Sequence, residues 1–303
     1  VSTARASRTA SSRARAAALT IAGVPISSPD RLLFPETGIT KLDMLRYYEA
    51  VAPRMLPHLR GRPLTLKQCA PDVDHCRYLR HAGERAPTQV RVVRIPEQKK
   101  VGDYMVIDDL PGLIALAQRN IIEFHTWNAT VEALEMPDRL VFDLDPGPEV
   151  SWPQVVEAAH DVRSALEAVG LRSWVKTTGG RGLHIVAPVE PSHGWSECLA
   201  FARAFATELA AREPGRFTTR FGKEERGARV LIDYLRNSRT NTSVAAYSAR
   251  ARAGAPVSVP IAWEELTARL RPARWTIRTV PHRLEQRPDP WAGYARARQH
   301  VPT

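Results

Sequence analysis

Leu140-Val141-Phe142-Asp143-Leu144-Asp145-Pro146-Gly147-Pro148 decides how the rest of this chain is read. Val141, Phe142 and Leu144 favour the pleated conformation. Pro146, Gly147 and Pro148 stop it. A short buried strand ended by a turn is therefore expected. Side chains alternate along a strand, so Asp143 and Asp145 share one face while Leu140, Phe142 and Leu144 point to the other. Residues two apart on a strand have Cα atoms ~6.5–7 Å apart. Carboxylates at that separation can converge on a metal cluster. Without a cation they repel each other at the end of an apolar strand, a cost that a ligand offsets. Two solvated aspartates are the plain alternative, and a D-x-D pattern alone does not separate the readings.

Two later stretches bear on the choice. Thr178-Gly179-Gly180-Arg181-Gly182-Leu183-His184 links two expected strands, 173–177 and 183–188. Its glycines let backbone N–H groups form an anion nest, and Arg181 adds charge for phosphate. His184, just inside the second strand, can donate to a phosphate oxygen. A plain hairpin turn with a surface histidine fits the same letters. The third stretch, 229–235, places Asp233 inside an apolar strand, and Arg236 follows it. A buried aspartate needs a partner, and a third metal carboxylate would have one. Three carboxylates and a phosphate-binding turn are what a two-metal phosphoryl-transfer site requires. Hard oxygen ligands suit Mg2+ or Mn2+ rather than zinc.

The remaining elements follow from periodicity. Strand and turn are expected at 28–35. Thr40 caps a helix from Lys41, with Asp43 in its first turn and Pro53 kinking or interrupting it. A strand is expected at 64–67, loop at 70–89, an edge strand at 90–95 and a strand at 104–107. Pro111 opens a helix to about Asn120, and the strand at 121–127 carries Glu123 and His125 on one face. Helices are expected at 153–169, closed by Gly170, at 196–211, at 263–271 and at 291–299. Strands and helices mix without strict alternation, which favours an α+β fold over a doubly wound sheet.

The chain has 303 residues and a formal net charge of +11. That charge favours a polyanionic partner, nucleic acid first. No apolar run approaches the ~18 residues of a membrane span. Residues 1–20, with Arg5, Arg8, Arg13 and Arg15 and no acid, are expected as a disordered basic tail; their composition also resembles a transit peptide. Residues 21–303 then form the catalytic domain. The three cysteines, Cys69, Cys76 and Cys198, argue against a disulfide framework and fit a reducing cytosol. Cys69, His75, Cys76 and His81 lie close together, but in no standard zinc-finger spacing.

The order D-x-D, then Gly182-Leu183-His184, then an aspartate on a strand resembles the archaeo-eukaryotic primase superfamily. More narrowly, the chain resembles the polymerase module of bacterial ligase D. Matching residues run from Asp30–Pro35 through Thr40-Lys41, Gly61-Arg62-Pro63, Glu123-Phe124-His125, Leu140–Gly147 and Asp233 to Tyr247-Ser248. The resemblance implies a primase-like core of mixed and antiparallel sheets flanked by helices. It implies a nucleotidyltransferase that extends primer 3′ ends and fills gaps in non-homologous end joining, preferring ribonucleotides. Asp143, Asp145 and Asp233 then look like ligands of two Mn2+ or Mg2+ ions. Thr178, Arg181, Gly182, His184, Arg236 and Arg250 look like the triphosphate pocket, and Lys67 and His125 like groups near the incoming nucleotide. Arg31 and Lys41 fall where the family grips a 5′-phosphate. Tyr78 falls at an aromatic position that stacks on a template base.

Implied partners are gapped or broken DNA with a 5′-phosphate, NTP or dNTP, a DNA ligase and the Ku end-binding protein. The implied location is the bacterial cytoplasm, at the nucleoid. The chain departs from the family pattern near Asn241 and at Ala246, and Arg77 replaces a second aromatic. No ligase or nuclease segment follows, so a stand-alone polymerase and an excised module both remain open. Two rival readings are an aspartate-nucleophile phosphatase, whose opening strand also fits 141–145, and a DNA-end-binding module without catalysis. The phosphatase reading requires a Rossmann-type sheet and leaves Gly182-Leu183-His184 without a job.

Overall fold

The computed structural model describes residues 19–84, 86–222 and 224–302. The basic tail expected at 1–20 lies, apart from Leu19 and Thr20, outside the described residues. The architecture is α+β, as expected. A six-stranded sheet has the order Phe217–Thr218, Val230–Asp233, Arg139–Pro146, Leu183–Pro188, Trp174–Thr177, Pro260–Ile261. Its neighbours are antiparallel except for the parallel first pair. This is not a Rossmann sheet, and the phosphatase reading falls with it. A four-stranded antiparallel sheet has the order Ser243–Val244, Ile121–Thr126, Leu64–Cys69, Cys76–Leu79.

The aspartate strand shows how the layers arise. Its apolar face turns toward α3 (Trp152–Ala168) and α4 (Trp195–Arg212), with the Phe142 ring 4.9 Å from Phe205 of α4. Burying side chains of this size stabilises the fold by roughly 1.5–3 kcal/mol each. The opposite face is apolar at one end, where Val141, Val186 and Trp174 pack on Trp291. At the other end it carries the carboxylates. The four-stranded sheet is covered by α1 (Lys41–Leu59) and α2 (Leu110–Ala117). Tyr48 of α1 donates to the Ile122 carbonyl at 2.6 Å and meets Phe124 edge-on.

Local signals set the helix starts. Thr40 and Asp43 form a reciprocal capping box on α1, and Asp109 caps α2 by accepting from Gly112 N at 2.9 Å. Four expectations require correction. Pro53 does not interrupt α1, which runs on through Pro53 and Pro57. Both prolines are exposed and four residues apart, so the carbonyls they leave without a helical donor face water. Residues 70–89 are not all loop: Cys76–Leu79 is a strand, paired with Leu64–Cys69. That register puts Cys69 opposite Cys76, and a disulfide joins them with Cα atoms 4.0 Å apart. This overturns the expectation of no disulfide. His75 turns to Asp72 and His81 to Glu97.

The fourth correction concerns the last forty residues. Trp263–Glu265 and Tyr294–Arg296 are single 3-10 turns, and the helix there is α5, Val280–Gln286. The tryptophans anchor irregular chain to the sheet edge instead of lining a helix face. Trp263 Nε1 donates to the Ser173 carbonyl at 2.8 Å and Trp291 Nε1 to the Val175 carbonyl at 3.0 Å.

Candidate active site

Directly opposed residues of antiparallel strands share a face. Asp143 lies opposite His184 on one side and Asp233 on the other, and Lys176 lies opposite His184. Lys176, His184, Asp143 and Asp233 therefore form a row across four strands. Asp145 stands beside Asp143 on the same face. Arg236 Nη2 is 3.1 Å from both Asp143 Oδ2 and Asp233 Oδ2. Arg226 donates to Asp145 Oδ2, and His184 Nε2 lies 3.5 Å from Asp143 Oδ1.

Charge in this row is unevenly held. Burial alone would raise the Asp143 carboxyl, but His184, Arg236 and Lys176 outweigh it and hold the group well below the usual carboxylate range. Asp233 moves the other way: burial raises it, and Asp143 and Asp145 add to the rise against Arg236. Burial, then Lys176, pushes His184 down to about 4, so it is a neutral imidazole at pH 7. Among the described residues, no three carboxylate, imidazole or thiol groups converge on one metal-sized point. Guanidinium groups stand between the carboxylates instead. One Arg236 nitrogen is shared by Asp143 and Asp233, so a single positive centre can sit between them. The donors are carboxylate oxygens, which suit Mg2+ or Mn2+. A cation held by all three aspartates would require Arg236 and Arg226 to turn aside.

The glycine turn closes over this row. A Cβ on residue 182 would collide with the Leu144 carbonyl oxygen, so only glycine lets the turn lie so near the aspartate strand. Thr178 Oγ1 donates to the Gly182 carbonyl at 3.1 Å. Arg181 Nη2 donates to the Val150 carbonyl at 2.8 Å, which ties it to the turn that ends the aspartate strand. Asp143, Asp145, Thr178, Arg181, Gly182, His184, Arg236 and Arg250 all border one cavity of about 1020 Å³, and His125 and Tyr78 border it from the second sheet.

On that second sheet a residue given no role from sequence organises the rest. Glu123 is fully buried. It accepts from Lys67 Nζ at 3.3 Å, His125 Nε2 at 2.9 Å, Arg250 Nε at 2.9 Å and Ala251 N at 3.0 Å. Burial would raise its carboxyl, yet His125 and Arg250 hold it well below the usual range. Burial also outweighs Glu123 at His125 and lowers that imidazole. Arg250 additionally donates to the Thr178 carbonyl, which links this hub to the glycine turn. Tyr78 is 60% exposed, with its ring edge-on to His125 at 5.8 Å and the Lys67 ammonium 5.7 Å from its centroid. The alternation Glu123-Phe124-His125 was the available signal for the hub. Arg226, Arg80 and Arg252 also border the cavity, and nothing local in the sequence marks them.

Arg31 and Lys41 are brought together away from that cavity. Lys41 N donates to the Arg31 carbonyl and Lys41 Nζ to the Ser27 carbonyl, each at 2.8 Å. Burial, then Arg31, lowers the Lys41 ammonium to about 8. The first three N–H groups of α1 are all used. Lys41 N, Leu42 N and Asp43 N donate to the Arg31 carbonyl, the Pro29 carbonyl and Thr40 Oγ1.

Comparison with known proteins places these features in a family. Residues 40–291 match the family model described as LigD, primase-polymerase domain. The chain is 39% identical over 303 residues to the multifunctional non-homologous end joining protein LigD of Pseudomonas aeruginosa, covering 98% of this chain and 36% of that protein. It is 33% identical over 252 residues to the Mycobacterium tuberculosis protein of similar description, covering 80% of this chain and 33% of that one. The chain thus spans about a third of the length of these relatives. Its fold is similar to the polymerase domain of Mycobacterium tuberculosis ligase D, solved in complex with DNA. That match has a TM-score of 0.83 at 31% identity and covers 89% of this chain and 97% of that one.

Proposed function

This chain belongs to the LigD primase-polymerase domain family, a family of nucleotidyltransferases, and from that premise we propose that residues 21–303 are a template-directed polymerase acting at DNA breaks. The observation that carries this reading is the single cavity where Asp143 and Asp145 face the Thr178–His184 turn, with Asp233 one strand over. Asp143, Asp145 and Asp233 would hold two Mn2+ or Mg2+ ions. Such ions, when bound, supply charge that eases deprotonation of the primer 3′-hydroxyl and offsets charge on the transferring phosphate.

The chain's own groups do the rest. Thr178, Arg181, Gly182, His184, Arg236 and Arg250 would hold the triphosphate. Neutral His184 donates a hydrogen bond, and the arginines supply charge. Lys67 and His125 would position the nucleotide, and Tyr78, exposed at the cavity mouth, would stack on the template base. Arg236 and Arg226 have to exchange carboxylates for phosphates or DNA as the site fills. Ku and a DNA ligase would be partners in end joining, at the bacterial nucleoid. Among the described residues no helix is long and apolar enough to cross a membrane.

Primer extension on a gapped template, with Mn2+ and with chelator, tests the reading. We expect extension only with the ion, and incorporation of NTP over dNTP when both compete. Binding of DNA with no extension under any ion would leave only an end-binding module. A clear dNTP preference would remove the ribonucleotide part.

Arg31 and Lys41 would grip a downstream 5′-phosphate. A terminal phosphate carries more charge than a phosphodiester, so gapped DNA with a 5′-phosphate should bind more tightly than the 5′-hydroxyl form. Because the Lys41 ammonium is lowered to about 8, its charge is present below that pH and lost above it. The preference should therefore shrink as pH rises from 7 to 9, and Arg31→Ala plus Lys41→Ala should erase it. Fluorescence anisotropy at two salt concentrations measures this, with a salt slope smaller by ~0.7–0.9 for the lost contact. A double variant that still discriminates as well as the parent would place the end elsewhere.

A further inference from the structure

The strand Val230–Asp233 runs antiparallel to the aspartate strand from Pro146↔Val230 to Asp143↔Asp233, and there it stops. Continued, it would lay Leu235 opposite Val141. Instead the chain leaves at Tyr234 into the 3-10 turn Leu235–Asn237. The carboxamide of Asn237 fills the place so vacated. Val141 N donates to Asn237 Oδ1 at 2.7 Å, and Asn237 Nδ2 donates to the Val141 carbonyl at 2.8 Å. That reciprocal pair is what a residue of a neighbouring antiparallel strand would make with its main chain. Asn237 Nδ2 also donates to the Tyr234 carbonyl at 2.9 Å, and Asn128 Nδ2 donates to Asn237 Oδ1 at 3.2 Å. Both donors and both acceptor sites of the amide are thereby used, and the residue is 1% exposed.

The consequence falls on Arg236. Its carbonyl accepts from Asn128 Nδ2 at 3.0 Å, and the next residue is pinned to Val141, two positions before Asp143. Its backbone is thereby held in register, and its guanidinium reaches both Asp143 and Asp233 at 3.1 Å. The bland reading is a satisfied buried amide that only holds a turn together. That reading explains stability, but it does not explain why both bonds go to the strand that carries the aspartates.

We propose that Asn237 is a positioning residue: its side chain stands in for strand main chain on the aspartate strand and so holds the backbone of Arg236 beside Asp143 and Asp233, from where the guanidinium exchanges the carboxylates for the triphosphate as the site fills. For its effect on activity this rests on the nucleotidyltransferase reading above; for its effect on geometry it does not.

Three variants, Asn237→Ala, Arg236→Ala and the double, are compared for kcat and KM in primer extension and for thermal midpoint. Each single change should lower kcat/KM by roughly tenfold to a hundredfold. The double should be no worse than about threefold below the weaker single, because Asn237 acts through Arg236. Losses that multiply, or an unchanged kcat/KM in Asn237→Ala, would overturn the proposal. Should Asn237→Ala not fold, Asn237→Asp takes its place, since it keeps the shape and removes the Nδ2 donors to the Val141 and Tyr234 carbonyls. It should show the same non-additivity with Arg236→Ala. An NMR arm needs no activity. The Nε–H signal of Arg236, assigned by its loss in Arg236→Lys, should shift and broaden in Asn237→Ala, or in Asn237→Asp if that variant is used. An unmoved signal overturns the proposal. Absence of extension in the parent, with the signal moved, overturns only the functional reading.

Discussion

Asp143→Ala is expected to lose primer extension by roughly 10³-fold or more, equivalent to ~4 kcal/mol of transition-state stabilisation. Asp145→Ala and Asp233→Ala should behave alike. Asp143 sits mid-row between His184 and Asp233, so no other side chain can hold a cation near both Asp145 and Asp233 from that strand. The fold should survive the change. The packing of the strand rests on Leu140, Phe142 and Leu144, which point the other way and are fully buried. Removing the Asp143 carboxylate also relieves its repulsion of Asp233, and Arg236 keeps Asp233 as a partner at 3.1 Å. Because His184, Arg236 and Lys176 favour the Asp143 carboxylate, its loss should still lower the thermal midpoint by several degrees, with unfolding remaining cooperative. Mn2+ titration followed by water-proton relaxation gives a readout independent of turnover and should show weaker ion binding. Extension at near the parent rate in Asp143→Ala would remove Asp143 from the chemistry altogether.

Much of this site was legible because its signals are local. The D-x-D alternation, the glycines of the turn and the Thr40–Asp43 capping box each state their geometry within a few residues. The features that escaped depend on partners far along the chain. Arg226 meets Asp145 across 81 positions, and no spacing rule reaches that far. The strand Cys76–Leu79 looks like loop because its side chains are partly or largely exposed and its pairing comes entirely from Leu64–Cys69. The disulfide was hidden for the same reason: an odd cysteine count says nothing about register. Pro53 misled because the carbonyls that Pro53 and Pro57 leave without a helical donor lie on the exposed side of α1, where water can serve them. Residues 263–271 and 291–299 misled because their tryptophans are held by strand carbonyls far along the chain, a contact that irregular chain makes as well as a helix. Arg31 and Lys41 lie side by side, but the N–H groups at the start of α1 are consumed by the capping box and by the turn before it. A phosphate there would meet side-chain charge and the helix dipole only.

Glu123→Gln should be the most damaging single change on the second sheet, although Glu123 touches no proposed metal ligand. Lys67, His125 and Arg250 share this one buried carboxylate. Glutamine keeps the shape and removes the charge. Breaking a buried ion pair by removing one partner costs about 3–5 kcal/mol, because the other charge stays buried without compensation. At roughly 2–4 °C per kcal/mol for a domain of this size or a little smaller, the midpoint should fall by about 10 °C. Glu132→Gln is the control. Its carboxylate pairs with Arg91 at 3.5 Å but is 64% exposed, and exposed pairs are worth only ~0–1 kcal/mol.

The pH dependence has a definite sign. The folded-state pKa of Glu123 lies below its ordinary value. Its contribution is therefore fully present above ~4.3 and is lost as pH falls from there through the folded value. The midpoints of parent and Glu123→Gln should accordingly draw together below about pH 4. Function should follow, because Arg250 is held between Glu123 and the Thr178 carbonyl. Released from Glu123, it no longer presents its charge to the glycine turn. The KM for nucleotide should rise by about tenfold, with DNA affinity little changed. If Glu123→Gln melts with the parent at pH 7 and keeps its nucleotide KM, then Lys67, His125 and Arg250 are positioned without it, and the hub is a consequence of the pocket rather than its cause.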